Sequence, residues 1–135
     1  MTKFVHKGAV YVLAFNTPPS GFLEGSLFKG TLYHGSDTAG LTTLKPDIGG
    51  EYGIYLTPKH KYARLYGSSL YRVLVNIQSP FFVSDKSEIS PKDLTEEDIE
   101  SLRYSGYDSI VSGSGTSVED SDEVVVFDSN QVHIL

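Results

Sequence analysis

"DEVVVFDSNQV", residues 122–132, places an acid on either side of four apolar residues. The run is β-branched and aromatic, which reads as a short buried strand. Glu123 stands at its head, where a carboxylate either faces water or points into a cleft. Just upstream, "SGSGTSVEDSD" (112–122) reads as a mobile acidic loop, and "YDSIV" (107–111) as another strand.

Further back, "TEEDIESLRY" predicts a helix over 96–104. Thr95 is its N-cap, acids fill the first turn where the helix dipole favours them, Ile99 and Leu102 share one face, and Gly106 ends it. "SLYRVLVNI" (69–77) is a strand by composition. A second helix is expected over 58–66, with Thr57 as N-cap and Pro58 in the first helical position. "GIYLT" (53–57) and "TLYHGS" (31–36) read as short strands, as does the apolar run 9–15, which the loop "NTPPSG" (16–21) closes. Strands with two short helices inserted do not make the regular alternation of a doubly wound sheet. The expectation is an α+β fold with a largely antiparallel sheet.

At 135 residues, one core and one domain over 1–135 suffice. A net charge of −6 with scattered Lys and Arg argues against a nucleic-acid partner, since holding a phosphate backbone draws on clustered cations. The basic stretch Thr57–Arg64 reads as a solvated helix face. Absence of cysteine excludes disulfides and thiolate metal sites and fits a reducing compartment, so the expected location is cytoplasmic. The longest apolar stretch, 8–15, is too short to span a bilayer, and neither a membrane partner nor an export signal is read. The four His, at 6, 34, 60 and 133, lack ligand spacing, and no metal is expected.

Three segments gain meaning together: "LYHGS" with His34, Gly35 and Ser36; "GIYLTPKHKYARLY" with Tyr55 and Tyr66 eleven apart; and "EVVVFDSNQV" with Glu123. In this order and form they resemble the catalytic domain of the ADP-ribosyltransferase superfamily, in its His-Tyr-Glu branch, which includes diphtheria toxin and the poly(ADP-ribose) polymerases. The resemblance covers about residues 31–135 and leaves 1–30 as an N-terminal extension, which either adds a strand to a sheet edge or forms a partner surface. It implies a split antiparallel sheet core with a few short helices, and NAD as co-substrate.

Carried over position by position, the resemblance implies that His34, Gly35 and Ser36 bind NAD, His34 through the adenosine ribose and Gly35 through backbone groups on the nicotinamide carboxamide. Tyr55 and Tyr66 would sandwich the nicotinamide ring. Glu123 would bind the ribose 2′-hydroxyl and stabilise the oxocarbenium, making Glu123, His34 and Tyr55 the catalytic set. There are two departures. Where the polymerases carry a Ser three residues before the second Tyr, this chain has Ala63, leaving that contact to Ser68 or Ser69 or to nothing. Ser121 stands where arginine-modifying transferases carry Glu or Gln, which weighs against an arginine acceptor.

The function implied is mono(ADP-ribosyl) transfer to a protein acceptor by a small bacterial or phage effector or toxin; the compact chain argues against polymer synthesis. An NAD glycohydrolase toxin would use the same site with water as acceptor. A small-molecule acceptor is a further variant, although such transferases usually carry Asp for the Glu. The remaining alternative, a catalytically silent NAD- or protein-binding module, fits poorly with retention of His34, Tyr55 and Glu123.

Overall fold

The structure is a computed structural model that describes residues 17–46, 53–83, 91, 94–113 and 117–135, together with the backbone of 2–6 and 9–13. Strands β1 (Thr2–His6) and β2 (Ala9–Leu13) pair antiparallel in a sheet of their own. They add no strand to the two larger sheets. Residues 14–16, which the sequence reading divides between strand and loop, lie outside the described residues.

One larger sheet has the order β3-β5-β9, formed by β3 (Thr31–Ser36), β5 (Ser69–Val75) and β9 (Val132–Ile134), all antiparallel. The other has the order β4-β8-β7-β6, from β4 (Ile54–Leu56), β8 (Glu123–Val126), β7 (Ser109–Ser112) and β6 (Pro80–Phe82). Only its β6–β7 pair is parallel among the described residues. The fold is α+β with a split, largely antiparallel core.

Among the described residues, the two sheets meet at one backbone bridge. Tyr33 N–H donates to the Thr57 carbonyl at 2.8 Å and Thr57 N–H donates to the Tyr33 carbonyl at 2.9 Å. Beyond it β3 and β4 stop pairing through the backbone, and a cleft opens at the split.

The unbroken apolar run of β8 is explained by cores on both of its faces. Val124 and Val126 pack with Leu32, Ile54, Leu56, Val73 and Val75 between the sheets, whereas Val125 and Phe127 pack with Ile99, Leu102 and Ile110 beneath helix α2 (Glu96–Tyr104). Helix α2 starts as expected: Asp98 N–H donates to Thr95 Oγ1 and Thr95 N–H to Asp98 Oδ2, both at 3.1 Å. Arg103 near its end donates to both carboxylate oxygens of Asp128 and to the Phe127 carbonyl, tying the helix to the strand it covers.

The helix expected over 58–66 is shorter. Helix α1 spans His60–Ala63 and tightens into a 3₁₀ turn over Arg64–Tyr66. Thr57 does not cap it, because its backbone is committed to the bridge with Tyr33, and the N-cap position falls to Lys59. Ahead of β3, Phe28 enters the core and Ser26 Oγ accepts from Ile77 N–H at 3.0 Å, fastening this segment beside the end of β5. Among the described residues no helix is long and apolar enough to cross a membrane.

Candidate active site

His34, Gly35 and Ser36 are the last three residues of β3, opposite Tyr71, Leu70 and Ser69 of β5. They lie just past the bridge, where β3 and β4 part. There His34 Nδ1 lies 2.8 Å from the Tyr55 carbonyl on β4, so a side chain takes over the bonding that backbone provides one residue earlier. A carbonyl oxygen only accepts, so Nδ1 carries a proton in this contact, and Nε2 is the ring nitrogen left facing away from it.

Gly35 has no room for a side chain. A methyl group at its Cα would sit 1.7 Å from the Ala63 carbonyl oxygen, so glycine is what lets α1 close onto β3. The sequence reading tied this glycine to a ligand's approach; packing of α1 is a reason within the protein itself. Ser36 Oγ accepts from Thr38 N–H at 3.1 Å and starts the loop that follows. That loop is tied down by Tyr71, whose hydroxyl donates to the Thr38 carbonyl and accepts from Leu41 N–H, and by Leu44, which is buried in the core.

Tyr55 sits mid-strand in β4 opposite Val125, and its hydroxyl donates to the Pro91 carbonyl at 2.7 Å. Tyr66, at the end of the turn after α1, is 47% exposed, and its hydroxyl donates to Glu123 Oε2 at 3.0 Å. Glu123 opens β8 opposite Ser112 and is half-buried. Beside it, Asp122 forms an ion pair with Lys59, which also stands 5.1 Å from the Tyr62 ring. The hydrogen bond to Asp122 holds the exposed Lys59 ammonium above the ordinary lysine pKa.

Two cavities share Gly35, Tyr55 and Tyr66 as a common wall. The larger, about 1010 Å³, is lined by His34, Ser36 and the loop over residues 37–46. The smaller, about 440 Å³, is closed by Glu123 at the head of β8 and Asp122 just before it, with Ala63 and Leu65 from the α1 segment. All six residues singled out from sequence therefore line one cavity or both. Glu123 heads its strand facing a cleft, not bulk solvent.

Ala63 borders the smaller cavity with its side chain buried, while Ser68 and Ser69 line neither, so neither replaces the missing serine there. Ser121 is fully buried, and its hydroxyl donates to the Val118 carbonyl at 2.6 Å. In the acidic loop, Val118 inserts into the core and Ser117 and Asp120 close a local turn; residues 114–116 lie outside the described residues. Sequence reasoning missed Lys59, Tyr62, Leu65 and Tyr71. Their roles come from surfaces that meet only in the fold, and no local motif marks them.

Residues 24–134 match the family described as ADP-ribosyltransferase in polyvalent proteins. The chain belongs to this ADP-ribosyltransferase family. Among solved structures, the crystal structure of an anti-CRISPR protein is similar at 14% identity and a TM-score of 0.49, covering 83% of this chain and 99% of that chain. No curated protein matches the chain. The matched span of the ADP-ribosyltransferase begins ahead of β3 and takes in Ser26 and Phe28, which the three motifs do not reach.

Proposed function

We propose that this ADP-ribosyltransferase uses NAD, cleaves its nicotinamide–ribose bond, and transfers one ADP-ribose unit to a protein acceptor, as a single-domain bacterial or phage effector acting in the cytoplasm. The observation that carries the reading is the convergence of Gly35, Tyr55, Tyr66 and Glu123, from three segments distant in sequence, on one cavity of about 440 Å³. That volume suits a small ligand or part of a larger one. Tyrosine faces suit the flat cationic nicotinamide ring. Here Tyr55 and Tyr66 hold nicotinamide, and the larger cavity beyond their shared wall takes the adenosine side, where His34 Nε2 hydrogen-bonds a ribose hydroxyl.

Cleavage breaks the bond from ribose C1′ to the pyridinium nitrogen. The electron pair leaves with nicotinamide, and positive charge develops on the sugar, as in glycoside cleavage. A carboxylate placed there stabilises the transition state more than the ground state, and so accelerates the step. Glu123 is that carboxylate. The acceptor then attacks C1′ and gives up its proton.

The test is to incubate the protein and its Glu123→Gln variant with NAD labelled on the adenylate half in a bacterial lysate. Label on a discrete macromolecule, absent with the variant, is the expected result. Free ADP-ribose alone would replace transfer by NAD hydrolysis, and a labelled small molecule would replace the protein acceptor. Intact NAD in both samples would contradict the reading and favour a silent binding module.

A further inference from the structure

The contact between Tyr66 and Glu123 ties two parts of the site that the motifs treat separately. Tyr66 enters the reading above as a ring that stacks on nicotinamide, and stacking needs no hydroxyl. Yet its hydroxyl donates to Glu123 Oε2 at 3.0 Å, and both residues line the smaller cavity. A carboxylate at a strand end has two side-chain torsions before its terminal rotation, and a fixed donor on one oxygen removes much of that freedom.

The donor itself is held in place. Tyr66 ends a segment anchored at its other end by the ion pair between Lys59 and Asp122, the residue beside Glu123. In between, the Ala63 carbonyl packs onto Gly35 of β3. Residues 59–66 thus lie across the cavity and are tied at both ends to the start of β8, at Asp122 just before it and at Glu123.

We propose that the Tyr66 hydroxyl is a positioning group for Glu123: it engages Oε2 and orients the carboxylate toward the cavity that both residues line. The inference rests on reading Glu123 as the catalytic carboxylate. It gives Tyr66 two separable tasks, its ring binding substrate and its hydroxyl acting on the rate through Glu123.

Tyr66→Phe keeps the ring and removes only the hydroxyl, at a side chain exposed enough for the fold to survive; a thermal melt serves as control. Nicotinamide release from NAD is followed for the wild type, Tyr66→Phe, Glu123→Gln and the double variant. The expected result is a fall in kcat of about tenfold or more for Tyr66→Phe with KM for NAD within about twofold, the size set by losing a hydrogen bond to a charged group. On the Glu123→Gln background the same change should cost nothing further, because the carboxylate it positions is gone.

An unchanged kcat for Tyr66→Phe, a rise in KM alone, or an equal loss on the Glu123→Gln background would each overturn the positioning role while leaving the site assignment intact. Absence of nicotinamide release by the wild type would overturn the assignment, and this inference with it.

Discussion

Gly35 shows how a single position serves both fold and site. Its motif is legible in the sequence, but the reason for glycine is not, because the Ala63 carbonyl that fills the space of a Cβ comes from a helix nearly thirty residues on. Gly35→Ala forces α1 and the turn carrying Tyr66 away from β3. We expect a loss of about 1–3 kcal/mol in urea denaturation, the usual range for overpacking, with weakened NAD binding in the variant that remains folded. The hydroxyl of Tyr66 was equally hidden. Spacing from Tyr55 marks the ring, whereas the partner of the hydroxyl becomes visible only once β8 is set beside α1. Local motif carries residue type, and the fold carries residue contact.

Elements with a strong local signal were readable: helix α2 from Thr95 and its acidic first turn, β3 and β5 from composition, β8 from its apolar run. Three-residue strands such as β6 and β9 give little periodicity, and they form because a neighbour offers an edge. Helix α1 was overextended because Thr57 and Pro58 look like a helix start, while tertiary pairing to Tyr33 claims the Thr57 backbone. Gln131, eight residues after Glu123, has a structural task. Its Oε1 accepts from Phe127 and Asp128 N–H, and its Nε2 donates to the Asn76 and Asp108 carbonyls, clamping the ends of three strands. Gln131→Ala should destabilise the protein by about 2–4 kcal/mol in chemical denaturation, since four part-buried backbone groups lose their partner; a change below about 0.5 kcal/mol would contradict the clamp. Tyr71 fastens the loop over the larger cavity through Thr38 and Leu41. Tyr71→Phe should raise KM for NAD about threefold to tenfold with kcat little changed, as initial rates over a range of NAD concentrations would show; an unaltered KM would separate that loop from NAD binding.

For the molecule as a whole, the class of fold followed from the order of elements, whereas the split was implied only by the family resemblance of the three motifs. It depends on β3 and β4 meeting at one bridge and then parting, a relation between strands some twenty residues apart that no local pattern encodes. The split is also what makes the site. It ends the backbone pairing at Tyr33, turns His34 onto the Tyr55 carbonyl, and brings the head of β8 to the cavity floor. The central claim is that this cavity cleaves NAD through the carboxylate of Glu123. Its most direct test is nicotinamide release by the wild type and by Glu123→Gln, with NAD affinity measured on the same preparations. A fall in turnover of about 10²-fold or more at nearly unchanged NAD affinity is predicted, because the substitution keeps shape and removes charge needed in the transition state. Turnover that survives in Glu123→Gln would contradict it.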